Sequence, residues 1–347
     1  MIIRSEKNPI IRPEDIKPSS PDFKVICVFN CGVAKLNGET LLLMRVAEVP
    51  ECDCDDLVKV PYLDDKTNLI FIKELKKTDY NIDYSDPRVI KTPEKNYLTS
   101  ISHFRIARSK NGIDFSIDEK PAMFPEKIYE RFGIEDPRIT EIDGKYYIGY
   151  SAVSDITGIT ICLASTVDFV TFDRHGVIFL PDNKDFALFP EKFGGKYLAL
   201  HRPSSTDFGM KSIWISQSED LLSWGDHKIL MTGNKGFWDD GRIGCGAVPF
   251  KTGEGWLEIY HGASKDGKYC LGAILLDTDD PSKIITRSAD PILEPEEIYE
   301  KNGFMDNIVF TCGALLENGI VKIYYGAADM YIAYAEIKIE DILKKLK

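Results

Sequence analysis

A short β-hairpin pattern recurs five times along this chain. Each copy joins a turn containing glycine to a run of aromatic and β-branched residues, a combination typical of paired antiparallel strands. The turns and the runs that follow them are Asn37-Gly38 with 40–45, Asp143-Gly144 with 145–150, Gly194-Gly195 with 196–201, Gly255 with 256–261, and Asn318-Gly319 with 320–325. In the last four copies the glycines at 144, 195, 255 and 319 are 51, 60 and 64 residues apart. A hairpin repeated at this spacing predicts a repeat architecture.

Hairpin repeats of this length favour an all-β propeller, in which each copy forms one sheet around a central channel. Five copies predict a five-bladed β-propeller that occupies residues 1–347 as a single domain. A pair of β-sandwiches is the alternative, but two separate domains would not share one pattern throughout. The first copy is interrupted at about 50–97, which we interpret as an insertion at one rim. Apolar residues at helical spacing in 337–346 predict a short C-terminal helix.

Charge and composition narrow the classes of partner. The formal net charge of −12 argues against binding to nucleic acid or to an anionic membrane, because both require a basic surface. The longest apolar runs have only the length of strands, and the N-terminal residues lack the apolar core of a secretory signal, so we expect a cytoplasmic protein.

Eight cysteines are too few for a disulfide scaffold. Cys52 and Cys54 have no second pair at a matching spacing, so we expect no metal site.

Polar side chains in the innermost strands of a propeller, or at the ends of those strands, can reach the central channel. In this chain they form a short and unusually charged set. The set is Asn30, Arg45, Arg105, Asp136, Arg138, Lys184, His201, Arg202, Asp239, Asp240, Arg242, His261 and Asp306.

Asp136 is the acidic candidate with the most informative context. Pro137 follows it and is expected to restrict Asp136 to an extended backbone, which would project its carboxylate from the start of a strand. The alternative is an Asp-Pro turn whose carboxylate pairs with Arg138 at the surface. The sequence leaves both interpretations open.

Four basic residues fall at strand ends in successive repeats, namely Lys184, Arg202, Arg242 and His261. If the repeats converge on one channel mouth, these side chains converge with them. Arginine beside a second cation suits phosphate, because the guanidinium group can bind it with two hydrogen bonds. The alternative is that each arginine pairs with a local carboxylate, such as Asp185 or Asp240.

This combination of one acid and several cations indicates a type of reaction. An inverting sugar hydrolase needs two carboxylates, one as the acid and one as the base that activates water. Here the sequence offers cations where the base would be expected. Phosphate is already a nucleophile and needs orientation and neutralisation of its charge, so the set fits attack by phosphate better than attack by water.

At these residues the chain resembles the mannoside phosphorylases and β-mannosidases of glycoside hydrolase family 130 over essentially its whole length. The segments that carry the resemblance are Phe-Asn-Cys-Gly at 29–32, Leu-Met-Arg-Val at 43–46, Glu-Asp-Pro-Arg at 135–138, Lys-Asp at 184–185, Leu-Phe-Pro-Glu-Lys at 188–192, His-Arg-Pro at 201–203, the segment 238–246, and Trp-Leu-Glu-Ile-Tyr-His-Gly at 256–262. The resemblance implies a five-bladed β-propeller, in agreement with the repeats.

The resemblance also implies roles for individual residues. Asp136 matches the catalytic acid, which protonates the glycosidic oxygen through a hydroxyl of the bound mannose. The phosphate-binding positions correspond to Lys184, Arg202, Arg242 and His261. Asn30 and Arg45 match contacts to the mannosyl group. From the set of channel residues, further substrate contacts are expected from Arg105, Arg138, His201 and Asp306. Lys184 and Arg242 replace an arginine and a lysine that are frequent in the family, and Cys31 replaces a serine or proline.

The expected activity is therefore phosphorolysis with inversion of β-1,2-linked mannobiose or oligomannosides, which releases α-mannose 1-phosphate. The alternatives are a β-mannosidase on the same fold, a β-1,4-mannoside phosphorylase, and a sugar-binding propeller without activity. We expect no cofactor, with phosphate as co-substrate, and the small-molecule mannoside as the partner. The insertion at about 50–97 could form a wall at the acceptor side or reach a neighbouring subunit of a homo-oligomer, and the sequence does not rank these roles.

Overall fold

A computed structural model describes residues 1–64, 66–79, 81–204 and 208–347. Within these ranges the regular structure consists of antiparallel strands, two short α-helices and two 3₁₀ turns at Pro13–Asp15 and Ile128–Glu130. The chain is thus all-β, as the repeats predict. In the described residues no sheet closes on itself as a barrel.

The first repeat forms a four-stranded sheet that is interrupted by the insertion. After β1 (Ile3–Arg4), the long hairpin of β2 (Phe23–Leu36) and β3 (Glu39–Pro50) turns at Asn37-Gly38. The insertion then forms two small sheets, one of β4 (Leu57–Asp64) and β5 (Leu69–Lys76), and one of β6 (Asp83–Asp86), β7 (Val89–Lys91) and β8 (Asn96–Leu98). It is therefore more regular than the extended strand and loop expected there. The chain returns to the first sheet with β9 (Ile101–Ser109) and β10 (Ser116–Ile117), in the order β10-β9-β3-β2.

The next three sheets follow the chain in simple up-and-down order. The second contains β11 (Ile134–Ile142), β12 (Lys145–Ser154), β13 (Gly158–Thr166) and β14 (Asp173–Phe179). The third contains β15 (Asn183–Phe193), β16 (Lys196–Pro203), β17 (Ile213–Ser218) and β18 (Trp224–Met231). The fourth contains β19 (Arg242–Cys245), β20 (Phe250–Lys251), β21 (Trp256–Ala263), β22 (Tyr269–Leu276) and β23 (Ile284–Arg287).

The last sheet joins the two ends of the chain. Helix α1 (Ile298–Lys301) precedes β24 (Val309–Glu317), β25 (Ile320–Ala327) and β26 (Tyr331–Lys338), and β1 pairs with β26 as the outermost strand. The chain ends in α2 (Ile339–Lys345), which confirms the predicted C-terminal helix. Each predicted glycine turn lies between or just before strands that pair.

The sheets pack face to face through apolar side chains that alternate along the strands. Between the first and second sheets, for example, the rings of Phe104 and Tyr150 make an edge-to-face contact with centroids 5.8 Å apart. At one edge of the sheets, β2 contacts β11 and β24, while β15 contacts β11 and β19. One edge strand from each sheet therefore lies beside an edge strand of another. The five-bladed propeller itself stays a prediction.

Two connections between sheets share a sequence motif and a network of hydrogen bonds around a buried glutamate. The hairpin pattern did not reveal this similarity. Residues 121–136 and 291–306 share the motif Pro-Glu-x-Ile-Tyr-Glu-x-x-Gly, which contains Glu130 in one copy and Glu300 in the other. Both glutamates are fully buried. Tyr150 donates to Glu130 over 2.8 Å, and Tyr325 donates to Glu300 over 2.7 Å. Each carboxylate also accepts two backbone N–H groups and a guanidinium group, from Arg174 at Glu130 and from Arg4 at Glu300.

The cysteines are free thiols, and six of the eight are buried, as expected for small core residues. Among the described residues, no helix combines the length and the hydrophobicity that a membrane crossing requires. Within the same ranges, no cluster of His, Cys, Asp and Glu has an arrangement that could hold a metal ion.

Candidate active site

Three edge strands each carry a β-bulge, and each bulge presents one short polar residue. The strand registers shift between Phe29 and Gly32, between Glu135 and Arg138, and between Lys184 and Ala187. A bulge adds an unpaired residue and turns its side chain out of the regular alternation. The residues placed in this way are Asn30, Asp136 and Asp185, with φ of 47°, 54° and 59°. Asn and Asp tolerate this left-handed conformation better than most other residues, which explains their use here.

The backbone at Asp136 corrects an expectation from the sequence. Pro137 was expected to hold Asp136 in an extended conformation, but its φ is 54°. The bulge between β11 and β12 requires a left-handed residue at this point, and tertiary pairing outweighs the local preference before proline. Asp136 is 6% exposed, so it is not a solvent-facing turn residue.

Asp136 lies in a group contributed by the first and second sheets. Its Oδ1 accepts a 3.0 Å hydrogen bond from Asn30 Nδ2 and a 3.1 Å bond from Arg45 Nη1. Arg45 also donates to Glu135 over 2.7 Å and to the hydroxyl of Ser102 over 3.2 Å, and its guanidinium lies 4.5 Å from the ring centre of Phe29. The predicted mannoside contacts Asn30 and Arg45 are thus brought together with the predicted acid.

The surroundings of Asp136 favour its ionised form. Burial by itself would raise the pKa of this carboxyl, but the positive charges of Arg45 and Lys184 and the hydrogen bond from Asn30 outweigh burial and lower the pKa. A group that is to donate a proton needs the opposite shift. Any role of Asp136 as an acid therefore depends on a change in nearby charge when ligands bind.

Asp185 holds a second group, formed by three of the predicted site residues. Its Oδ2 accepts a 2.6 Å hydrogen bond from Arg202 Nε and lies 3.3 Å from His261 Nε2, and its Oδ1 lies 3.4 Å from Arg138 Nη2. Burial acts to raise the pKa of Asp185, but Arg202, His261 and Arg138 lower it well below its usual range. The local pairing considered as an alternative therefore holds for Arg202.

Arg138 connects these groups to the fourth sheet. Its guanidinium donates to the carbonyl oxygens of Cys245 over 2.5 Å and of Gly246 over 2.6 Å. Burial lowers the pKa of His261 in spite of the neighbouring Asp185, which favours the neutral imidazole.

Three further cations beside this group lack such a partner. Lys184, Arg242 and Lys211 are half-buried, and none of them pairs with a carboxylate among the described residues. Asp240, the expected partner of Arg242, instead lies 3.5 Å from Lys265 Nζ, and Arg242 lies 5.7 Å from the ring centre of Tyr269. Half-buried cations within electrostatic reach of one another are unfavourable without an anion, so this arrangement indicates an anion-binding position.

Lys211 was missed because it lies outside the hairpin pattern, before β17. Its carbonyl accepts a hydrogen bond from Ile243 N over 3.1 Å, which fixes its backbone beside Arg242. Burial lowers the pKa of Lys211, and the charges of Arg242, Arg202 and Lys184 lower it further. No local signal in the sequence distinguishes this lysine from a surface lysine.

Asp329 was also missed, because it lies in the turn between β25 and β26. Its φ is 50°, and its carboxyl group is within electrostatic reach of Asp136 and Arg45. Burial, followed in effect by the charge of Asp136, raises the pKa of Asp329 to about 6, although Arg45 opposes the shift. The left-handed aspartate at the end of the last hairpin adds a second carboxyl beside Asp136.

Three predicted substrate contacts are not brought to these groups. Arg105 is fully buried in β9 and donates to the carbonyl of Lys17 over 2.6 Å. His201 packs against Phe179 with ring centres 4.5 Å apart, and burial, with the nearby His227, lowers its pKa to about 3. Asp306 is exposed and accepts a hydrogen bond from Gly303 N over 3.3 Å. The predicted roles of these three residues stay predictions.

Comparison with known proteins places this geometry in a family context. A family model described as beta-1,4-mannooligosaccharide phosphorylase matches residues 95–347. The chain is 47% identical over 350 aligned positions to a β-1,2-mannobiose phosphorylase of Listeria innocua, covering 100% of this chain and 98% of that protein. It is 43% identical over 252 positions to a 1,2-β-oligomannan phosphorylase of Thermoanaerobacter, covering 72% of this chain and 83% of that protein. The solved structure of the Listeria enzyme in complex with β-1,2-mannobiose matches with a TM-score of 0.96 over 99% of both chains.

Proposed function

The chain belongs to glycoside hydrolase family 130, and on this premise we propose that it is an inverting β-1,2-mannoside phosphorylase. It transfers the mannosyl group of β-1,2-mannobiose or of a longer β-1,2-oligomannoside to inorganic phosphate, and α-mannose 1-phosphate is released. The names of its relatives in Listeria and Thermoanaerobacter support this substrate class.

One observation carries the choice of phosphate as the nucleophile. The charges of Lys184, Arg242 and Arg202 act on Lys211, and Lys184, Lys211 and Arg242 have no carboxylate partner among the described residues. A bound phosphate would supply the missing negative charge and would accept charge-assisted hydrogen bonds from these groups. The same cations would neutralise the nucleophile as it approaches the anomeric carbon.

Phosphate binding also accounts for the protonation of the acid. In the free protein the charges of Arg45 and Lys184 keep Asp136 ionised. A phosphate dianion beside Lys184 offsets that positive charge and raises the pKa of Asp136. Asp136 then gives its proton to the leaving oxygen, through a hydroxyl of the bound mannose as the resemblance implies. A phosphate oxygen forms the new bond to the anomeric carbon from the opposite side.

We also propose that the five large sheets of the described residues are the blades of one propeller. The successive contacts of β24, β2, β11, β15 and β19 support this arrangement, because these strands would line the central channel. Phosphate is proposed as a co-substrate with no other cofactor. A single domain, a cytoplasmic location and a homo-oligomer stay predictions.

The competing reaction is hydrolysis by a β-mannosidase on the same fold. Asp329 gives this alternative a specific basis, because a second, half-buried carboxyl with a raised pKa could serve as a base. It lies beside Arg45 and Asp136 rather than among the unpaired cations, which favours phosphorolysis.

The test is turnover of β-1,2-mannobiose with and without inorganic phosphate, with separation of the products. We expect turnover to require phosphate and to yield mannose 1-phosphate in the α configuration. Equal turnover in phosphate-free buffer, yielding free mannose, would assign the protein as a hydrolase. Faster phosphorolysis of β-1,4-mannobiose would leave the mechanism intact and change the substrate.

A further inference from the structure

The insertion between β3 and β9 is a fixed part of the protein beside the candidate acid. Val60, Ile90, Tyr97 and Phe132 form a buried apolar cluster that joins its two small sheets to the segment leading to Asp136. Leu63 N donates to the carbonyl of Arg131 over 2.8 Å, and Lys95 pairs over 2.5 Å with Asp155, in the turn between β12 and β13. These contacts hold the insertion in one position.

The turn between β6 and β7 presents an arginine and an aspartate as one unit. Arg88 donates to Asp86 with two hydrogen bonds, from Nε over 3.0 Å and from Nη2 over 2.8 Å. The turn is attached to the start of β9, because Thr99 donates to the carbonyls of Pro87 over 2.8 Å and of Arg88 over 3.0 Å. Half of the Arg88 side chain remains exposed.

Arg88 interacts electrostatically with residues beside the candidate site. Its charge acts on Asp329, which lies in the last sheet, and on Tyr269, which lies in the fourth sheet beside Arg242. The insertion itself forms two separate small sheets and connects β3 to β9 of the first sheet. Arg88 is therefore within electrostatic reach of two residues beside the candidate site, and the insertion that carries it packs on the segment leading to Asp136.

The Asp86–Arg88 pair differs chemically from the unpaired cations Lys184, Lys211 and Arg242. Asp86 neutralises Arg88, and the hydrogen bond from Arg88 lowers the pKa of Asp86 to about 2, so the pair stays ionised over the range in which enzymes work. A neutral pair has little attraction for phosphate. It still offers three free N–H donors and several carboxylate lone pairs, a set suited to the hydroxyl groups of a sugar.

The geometry of the displacement indicates which sugar unit of the substrate lies beside the insertion. In an inverting displacement the nucleophile and the leaving group lie on opposite sides of the reacting carbon. The unpaired cations belong to the third and fourth sheets, whereas the insertion is built on the first sheet and packs on the segment before Asp136. The leaving sugar should therefore lie toward the insertion.

We propose that Asp86 and Arg88 form part of the binding site for the leaving, or acceptor, mannose unit, so that the insertion is the wall of that subsite. This inference rests on the proposed phosphorylase function. It deepens that function, because it assigns acceptor recognition to two residues outside the family motifs used above.

The experiment compares Arg88→Ala and Arg88→Lys with the wild type in both directions. In synthesis, the KM for the acceptor mannose and the KM for mannose 1-phosphate are measured separately. In phosphorolysis, the KM for inorganic phosphate is measured at saturating β-1,2-mannobiose. We expect Arg88→Ala to raise the acceptor KM about tenfold or more, since hydrogen bonds to a charged group are lost. The KM values for phosphate and mannose 1-phosphate should change less than about twofold, and Arg88→Lys should restore only part of the acceptor affinity.

Lys91→Ala is the matched control, because Lys91 forms the other ion pair of this small sheet, with Asp83 at 3.5 Å, and is 58% exposed. It should leave all of these constants unchanged. An unchanged acceptor KM in Arg88→Ala would overturn the inference, and so would a rise confined to the phosphate KM. Wild-type turnover without phosphate would instead overturn the proposed function itself. The midpoint of thermal unfolding of each variant is compared with that of the wild type. An unchanged midpoint attributes a raised acceptor KM to the lost contact rather than to a misfolded insertion.

Discussion

The side-chain amide of Asn30 donates a 3.0 Å hydrogen bond to the carboxylate of Asp136, and both residues have a left-handed backbone. They come from different sheets, so the bond forms only when two bulges face each other. Neither bulge is required for the core of its own sheet. The pair indicates that local backbone strain is retained here to place polar groups at one point.

Asp136→Asn tests the acid. The substitution keeps the size of the side chain and its ability to accept from Asn30, but it removes the transferable proton. We expect kcat to fall by on the order of 100-fold or more, while the midpoint of thermal unfolding changes little. Steady-state phosphorolysis of β-1,2-mannobiose measures this. Wild-type rates in the variant would exclude Asp136 as the proton donor.

Arg242→Ala and Lys211→Ala test the anion position. Each variant removes a cation that has no carboxylate partner within the described ranges, so the loss should fall on phosphate. A charge-assisted hydrogen bond contributes about 1.5–3 kcal/mol, which corresponds to roughly 10- to 100-fold in the KM for phosphate. The KM for mannobiose should change far less.

Lys265→Ala provides the control for these two variants. Lys265 is an exposed lysine that follows Ala263, the strand partner of Arg242, and it forms an ion pair with Asp240. It should leave the phosphate KM unchanged. If Lys265→Ala and Lys211→Ala had equal effects, Lys211 would have only a general electrostatic role.

The pKa of Asp136 should rise when phosphate binds. In the free protein it lies below its ordinary value of about 3.9, because Arg45 and Lys184 outweigh burial. Without phosphate, Asp136 therefore loses its proton as the pH rises through this lowered pKa. With phosphate bound, the protonated form of Asp136 should persist to a higher pH. A difference titration of the wild type against Asp136→Asn, with and without saturating phosphate, measures the shift. A pKa that is equal or lower in the presence of phosphate would contradict the proposed protonation step.

Glu300→Ala should lower stability far more than Glu296→Ala. Glu300 is fully buried and accepts hydrogen bonds from Arg4, Tyr325 and two backbone N–H groups, which would all lose their partner. Breaking a buried ion pair on one side costs about 3–5 kcal/mol. Glu296 also binds Arg4, over 2.7 Å, but it is 61% exposed, so its loss should cost less than about 1 kcal/mol. Urea unfolding of the two variants gives the comparison, and equal costs would argue against the buried network.

The strands could be predicted because their signals are local. A glycine turn such as Asn318-Gly319, followed by alternating β-branched and aromatic residues, specifies a hairpin without reference to the rest of the chain. The bulges could not be predicted, because a register shift depends on the partner strand. For this reason Pro137 suggested an extended Asp136, whereas the paired strands impose a left-handed one.

The site was predicted in part, for a related reason. Neighbouring residues on a strand point to opposite faces, so His201 packs among aromatic rings while Arg202 reaches Asp185. The family resemblance predicts both residues as part of the site. Only the three-dimensional structure shows that Arg202 lies in the site group and that His201 does not. Lys211 and Asp329 lie in connections between strands, where no periodic pattern marks a side chain that faces the site.

The pairing of β1 with β26 sets the order in which the molecule can be completed. During synthesis Ile3 and Arg4 are made long before their partners, Glu336 and Ala335. The second, third and fourth sheets each pair strands that lie close together in the chain, so they can form while translation continues. The last sheet cannot, because β1 stays unpaired until β26 has been synthesised. A nascent chain that stalls before β26 would therefore expose an unpaired edge at β25, where quality control or aggregation could act on it.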